Sequence, residues 1–460
     1  MNKKLMAVAV AGALAAPGLA LAQASNVQIY GLIDSSMQIN KFTAPGATPA
    51  AANLDVSKNN IFNSASRWGI RGTEDLGNGL KAFFQAEALI FSDARPESAF
   101  GGAAGGLLGG RDTGIGLQSN WGEIKIGMWG SPYKQVMDAG VAMATGASTT
   151  FGMIMGNGDS TGTMPSPHCA NSVSSATGAF LVAGSTATTG AACTDGAEGS
   201  ATSFHRRLGK SVQYASPVWS GLQFKIATQM NNYKAPSGAL TALNSTSGNN
   251  ADPSLWSYSL KWTGGPFEAY GAFETHRAFN STTTSADINV KDTGTQLGGK
   301  WDFGQGTVTL QWERLKYGNN AAVGAATTDY RLINWALGGT FKVGGNGTLW
   351  GMYSKTPGRS SCGSANVVAG AFEGLCGSGS AANFFTFGYD HAMSKRTALY
   401  ATYGRINNGQ ATTAAGATVG SAYYYIAGPA ANGAAGVGTN GSIAVGTDVT
   451  TYAVGVRHTF

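Results

Sequence analysis

The sequence predicts an all-β fold, a 16-stranded antiparallel transmembrane β-barrel with short turns at one end and long loops at the other. Three observations predict it. Apolar and polar residues alternate with period two along the chain, which puts i, i+2 and i+4 on one face of a strand. The connections between alternating segments are short and long by turns. The composition is rich in Gly (68) and in aromatic residues (10 Trp, 16 Tyr, 20 Phe). It is poor in charge, with 30 basic and 24 acidic residues in 460, whereas globular proteins carry about 25% charged residues.

Taken from the N-terminus, residues 1–22 read as a signal peptide and 23–460 as the barrel domain. Lys3 and Lys4 supply a positive start, the run from Leu5 to Leu21 is short and apolar, and Ala20-Leu21-Ala22 is an A-x-A cleavage site. Cleavage after Ala24 is the alternative. Beyond that segment no run approaches the ~20 apolar residues of a spanning helix.

The strands follow. Val27, Ile29, Ile33, Met37 and Ile39 share one face, opposite Gln28, Asp34 and Gln38. Trp256, Tyr258, Leu260 and Trp262 oppose Ser257, Ser259 and Lys261. Leu297, Trp301 and Phe303 oppose Gln296, Lys300 and Asp302, and Phe385, Phe387 and Tyr389 oppose Thr386, Gly388 and Asp390. At the end, Tyr452, Val454, Val456, His458 and Phe460 oppose Ala453, Gly455, Arg457 and Thr459.

Short turns are expected at Glu74 to Gly79, Asn120 to Gly122, Ser216 to Gly221, Gly264 to Pro266, Gly304 to Gly306, Gly344 to Gly347 and His391 to Arg396. Long polar stretches lie at roughly 40–65, 91–110, 130–206, 231–254, 276–294, 317–328, 355–382 and 406–448. Seven short and eight long connections join sixteen strands, with both chain ends on the short-turn side. A β-sandwich also alternates, but this asymmetry belongs to outer-membrane barrels, whose short turns are periplasmic and long loops external. Only a closed sheet spans lipid without unpaired backbone groups. Sixteen strands leave an aqueous channel where about eight would be filled by side chains.

Other features exclude other functions. Without Lys3 and Lys4 the mature chain has 28 basic and 24 acidic residues, scattered singly rather than in the basic stripe of a nucleic-acid binder. Gly158-Asp-Ser160-Thr-Gly162 fits G-x-S-x-G but lies in a Gly, Ser and Thr loop instead of a strand-to-helix turn. Gly294 to Lys300 is spaced like a phosphate loop, yet Trp301 replaces the Ser or Thr and the run reads as a strand. The histidines His168, His205, His276, His391 and His458 are scattered and read as loop, turn or interfacial residues. No enzyme, cofactor or metal site is expected. The four cysteines fall into the local pairs Cys169 with Cys193 and Cys362 with Cys376, read as loop disulfides in an exported protein, with metal ligation as the rival reading.

Several segments taken together resemble the trimeric general porins of β-proteobacteria such as Comamonas, Bordetella and Burkholderia. These are Val27-Gln-Ile-Tyr-Gly-Leu-Ile-Asp34, Ser66-Arg-Trp-Gly-Ile-Arg-Gly-Thr-Glu-Asp-Leu-Gly-Asn-Gly-Leu-Lys-Ala82, Phe84-Gln-Ala-Glu87, Ser211-Val-Gln-Tyr-Ala-Ser-Pro217, Gly388-Tyr-Asp-His391, Ser394-Lys-Arg-Thr397 and Gly455-Val-Arg-His-Thr-Phe460. The resemblance covers the mature chain. It implies a passive channel for small hydrophilic solutes and anions in the outer membrane of a Gram-negative cell, exported through the periplasm, inserted by the barrel assembly machinery and working as a homotrimer in the lipid bilayer. A channel selective for sugars or organic acids is the alternative. Phe460 is similar to the terminal aromatic of the assembly signal.

The resemblance also implies an inward-folded third loop whose acidic groups face an arginine cluster on the wall. Carried over, Arg67, Arg111 and Arg207 match the arginines, Glu87 the wall carboxylate, and Asp138 is the candidate acid of the loop. Strand parity turns Arg67, Arg71, Lys81, Gln85 and Glu87 toward the lumen, because a lipid-facing Arg or Lys at midplane costs about 2–4 kcal/mol. Phe83, Trp129 and Tyr270 are aromatic candidates for the lumen. The chain departs from the family at Met128 and Trp129, where relatives carry Arg-Gln, and in a third loop expanded around Cys169 and Cys193. Asp159, Asp195 and Glu198 belong to that expansion. Three or four inward arginines lead us to expect a weak to moderate anion preference.

Overall fold

The computed structural model describes residues 26–44, 54–63, 66–90, 92, 111–140, 155, 197–198, 204–205, 207–230, 254–277, 291–317, 330–358, 381–412, 418–420 and 446–460. The expected signal peptide and Cys169, Cys193, Cys362 and Cys376 lie outside the described residues, as do Asp159 and Asp195.

Sixteen strands form the wall. They are β1 (Asn26–Ala44), β2 (two segments, Leu54–Asn63 and Arg67–Gly77), β3 (Leu80–Leu89), β4 (Thr113–Ser119), β5 (Gly122–Gly130), β6 (Arg207–Ala215), β7 (Leu222–Gln229) and β8 (Ser254–Gly264). Then come β9 (Phe267–Arg277), β10 (Lys291–Asp302), β11 (Gly306–Tyr317), β12 (Tyr330–Val343), β13 (Gly347–Thr356), β14 (Ala382–Ala392), β15 (Thr397–Asn408) and β16 (Asp448–Thr459). Each pairs antiparallel with the next. The last returns to the first, with Thr459 opposite Leu32 and Asp448 opposite Thr43. Gly31 and Phe460 exchange both backbone hydrogen bonds, at 3.0 and 3.1 Å, so the sheet closes without an edge.

All seven expected short turns join strands. The first long connection is shorter than expected, because β1 runs to Ala44 and β2 begins at Leu54. Of the polar residues that suggested a loop, Asn40 and Asn60 face the lumen, Asn40 donating to Asn60 at 2.9 Å between the two strands beside the buried Phe42 and Phe62, while Lys41, Asp55, Ser57 and Asn59 are exposed on the other face. A wall around water tolerates polar runs that a protein core would not. Similarly, β15 continues to Asn408, and a small hairpin (Gln410–Thr412 with Thr418–Gly420) occupies part of the expected eighth loop.

The alternation appears as two surfaces. On β1, Ile29 and Met37 are 69% and 70% exposed on the outside, while Asp34 and Gln38 are 2% exposed within. Leu297, Trp301, Phe385 and Val454 face outward in the same way. Stacked or tilted rings such as Phe267–Trp301 and Phe387–Tyr403, 6.4 and 5.2 Å between centroids, line the outer face across strands.

Two irregularities aim the interior. In β2 the pairing with β1 shifts between Asn63 opposite Ser35 and Arg67 opposite Leu32. The break is held by Ser66, whose hydroxyl accepts from the Asp34 amide at 2.8 Å and donates to the Asp34 carbonyl at 3.1 Å. In β5 the register shifts between Gly127 and Trp129. Gly127 has φ +131°, and a Cβ there would lie 2.3 Å from the Thr113 carbonyl oxygen, so only glycine fits this bulge.

Beyond β5 the chain turns into the barrel as helix α1 (Pro132–Gly140). Its start has the usual chemistry: the Ser131 hydroxyl accepts from the Lys134 amide at 3.1 Å, and Pro132 occupies the first helical position.

Candidate functional site

The site is the zone where α1 approaches the inner wall. Helix α1 is anchored across the lumen. Tyr133 is buried; its hydroxyl donates to Glu313 Oε2 on β11 at 2.8 Å, and its amide donates to Ser257 Oγ on β8 at 3.1 Å. Gln135 Nε2 donates to the Gly130 carbonyl at 2.6 Å, while Lys225 of β7 donates to Gln135 Oε1 at 2.6 Å. Phe204 packs 5.7 Å from the Tyr133 ring and stacks on His276 at 4.6 Å. His276 is therefore an inward, buried residue of β9, bonded to Glu274 at 2.8 Å, rather than the loop, turn or interfacial histidine the sequence suggested.

On the facing wall, Arg67, Glu87 and Arg111 come together. Glu87 on β3 is nearly buried; it pairs with Arg111, lies 3.7 Å from Arg67 and accepts from the Tyr30 hydroxyl at 3.0 Å. These partners offset the desolvation of the carboxylate. The break in β2 sets the register of Arg67, and a backbone bond from the Arg111 amide to the Glu87 carbonyl at 3.2 Å ties the loop before β4 to β3. Beside them, Arg207 at the start of β6 pairs with Asp112 at 2.7 Å, and Asp112 also accepts from the Gly130 amide at 3.0 Å.

Asp138 projects from α1 with its side chain about half exposed, 2.8 Å from Lys134 and 2.5 Å from His205. Burial opposes its ionisation, but His205 and Lys134 outweigh it and hold the carboxyl well below the ordinary carboxylate range. Lys134 in turn is drawn down by burial, raised by Asp138, and lowered again by Arg207 and Arg111, so the helix and wall charges sense one another.

Arg71 stands apart. It lies four residues along β2 from Arg67, about 13 Å at 3.3 Å per residue, and its partners are Gln28 and the Tyr30 ring. Trp129 and Tyr270 are buried within the barrel, with Phe83 edge-on to Trp129 at 6.4 Å. Glu198 lies in a two-residue strand beside Arg207. Phe460 is on the outer face at the closing seam.

Asp112, Lys134 and Tyr30 were not singled out by the sequence, and His205, read there as a loop, turn or interfacial residue, is a partner of Asp138. Asp112 adjoins Arg111, and the Ser131-Pro132 helix start puts Lys134 and Asp138 one turn apart; both were readable. Nothing local marks His205, whose partner is 67 residues away.

The arrangement is electrostatic. Among the described residues, Arg67, Arg111, Lys134 and Arg207 are paired with or lie beside Glu87, Asp112 and Asp138 on the lumen side of the barrel. Fixed charges at the neck of a pore replace part of an ion's hydration and set which sign passes.

A family model described as Gram-negative porin matches residues 7–411. An outer membrane porin protein of Bordetella pertussis is 27% identical over 417 residues, 87% of this chain and 93% of that protein. Outer membrane porin protein 32 of Delftia acidovorans is 39% identical over 128 residues, 28% of this chain and 31% of that protein. Among solved structures, an anion-selective porin from Comamonas acidovorans matches with a TM-score of 0.60 at 20% identity, over 95% of this chain and 100% of that one. OmpT of Vibrio cholerae in a trimer form matches with a TM-score of 0.52 at 11% identity, over 95% and 100%. At these identities the two structures establish likeness of fold.

Proposed function

Because the chain belongs to the Gram-negative porin family and is an outer-membrane diffusion channel, we propose that its constriction passes small hydrophilic solutes with a weak to moderate preference for anions. The carrying observation is the arginine row on the wall facing α1: among the described residues there, Arg67, Arg111 and Arg207 stand with Glu87 and Asp112. The anion selectivity named for the Comamonas acidovorans porin supports the same sign. Reversal potentials in planar bilayers under a potassium chloride gradient test it. A potential on the chloride side is expected, and a clear cation preference overturns the proposal.

The working form is a homotrimer. The trimer form of the Vibrio cholerae relative in fold supports this, as does the aliphatic outer face of β1, β4 and β5, where Val27, Ile29, Ile33, Ile115, Leu117, Ile124 and Ile126 are exposed. Light scattering of the detergent-solubilised protein should give three times the mass of one chain; a monomer mass rejects the trimer. Residues 1–22 act as the export signal, on the strength of Lys3, Lys4 and Ala20-Leu21-Ala22. The mature protein then begins at Gln23, which N-terminal sequencing reads directly.

A further inference from the structure

Arg71 lies on the same inner row as Arg67 but nearer the Gly77–Leu80 turn, on the periplasmic side of the constriction. Its cross-strand neighbours are neutral amides, Gln28 on β1 and Gln85 on β3. Its Nε donates to Gln28 Oε1 at 3.1 Å and its guanidinium stands 4.9 Å from the centre of the Tyr30 ring. Among the described residues no carboxylate lies within ion-pair distance of it. The two terminal nitrogens of its fork thus keep their charge for something in the lumen.

A cavity of about 260 Å³ opens beside this group. Gln28, Gln85 and Gln118 supply amides to it, Phe83 an apolar wall and Glu123 the single acid of its lining. Glu123 is itself 3.3 Å from Lys125.

We propose that this cavity is a second anion station, periplasmic to the constriction, for a small monocarboxylate with a flat apolar body. The Arg71 fork matches both oxygens of a carboxylate, a geometry that an ammonium lacks. The neighbouring amides hydrogen-bond an anion without cancelling the charge that attracts it. Phe83 flanks an aromatic or alkyl body by offset stacking or edge contact. Glu123 repels a second negative charge, which favours monoanions over dianions. The station holds its guest weakly, since a conducting site must also release it. The proposal rests on the open-pore reading.

Sodium benzoate added from the periplasmic side to the purified channel in a planar bilayer, with chloride carrying the current, tests it. Saturable reduction of chloride current is expected, weaker with acetate and weaker with the dianion terephthalate. Arg71→Gln should raise the half-blocking benzoate concentration about tenfold, the loss of one charge-assisted contact. Phe83→Ala should raise it for benzoate but leave acetate unchanged. Unaltered benzoate block in Arg71→Gln, no block in the wild type, or terephthalate blocking as well as benzoate overturns the station. Conductance and reversal potential recorded in the same membranes with potassium chloride alone report on the pore and its anion preference separately. A silent wild-type channel would count against those readings, whereas a conducting, anion-preferring channel indifferent to benzoate counts only against the station.

Discussion

Glu87 sits between Arg67 and Arg111 with Tyr30 donating to it, so the proposed constriction depends on its charge. Glu87→Gln leaves both guanidinium groups with less compensation. A unit charge about 4 Å from a permeating ion is worth about 1 kcal/mol in bulk water, or roughly fivefold in a permeability ratio. The variant should therefore be more anion-selective by about that factor in bilayer reversal potentials; an unchanged ratio would remove Glu87 from the constriction. Asp138 makes a prediction in pH. Its folded pKa is depressed, so its charge, and the hold that charge gives α1, is full above the free value of about 3.9. Both are lost only as pH falls through the lower folded value. Asp138→Asn should shift selectivity toward anions by the same amount at pH 7 and at pH 4. A difference already halved near pH 4 would mean an ordinary carboxyl.

At the scale of elements, strands were legible and the helix was not. Period-two alternation marked Trp256 to Trp262 or Tyr452 to Phe460 because one face meets apolar surroundings and the other water. It misled most at residues 40–44 and 54–63, where both polar residues and buried aromatics belong to strands, and again where β15 and a small hairpin enter the expected eighth loop. Helix α1 left one local trace, Ser131-Pro132, and its docking depends on residues far along the chain. Tyr133 reaches Glu313, 180 positions away. Such contacts follow from the closed barrel, which alternation announces, but their pairing is set by register that no local pattern fixes. The anchor itself can be weighed. A buried hydrogen bond to a charged group contributes about 1.5–3 kcal/mol, so Tyr133→Phe should loosen α1 by that order without opening the wall. Single-channel records should then show greater open-state current noise with the barrel's heat-modifiable gel mobility unchanged. Quiet currents would place the anchoring elsewhere on α1.

For the whole molecule, one constraint explains both the parts that were legible and the part that conducts. A sheet in hydrocarbon must close on itself, and closure divides every strand into an outward apolar row and an inward polar row. Arg67 and Glu87 could be assigned to the lumen from parity and Arg111 from the resemblance, while their neighbours Asp112, Lys134 and His205 come from segments that the wall merely brings together. The same constraint makes the outer row intolerant. Leu310 is 57% exposed on the outside of β11, between Gly299 and Leu337 and about midway across a strand of spanning length. Arginine there cannot reach the lumen without a one-residue slip, which would turn the whole row, Val308 and Trp312 included, to the wrong side. Leu310→Arg should cost about 2–4 kcal/mol in folding into vesicles, measured by denaturant titration of tryptophan fluorescence. Leu310→Ala should cost less than half as much, since it removes apolar area without placing a charge in lipid. Equal costs for the two would mean that the outside of β11 does not face hydrocarbon, and the division of surfaces from which the inward cluster is read would fail with it.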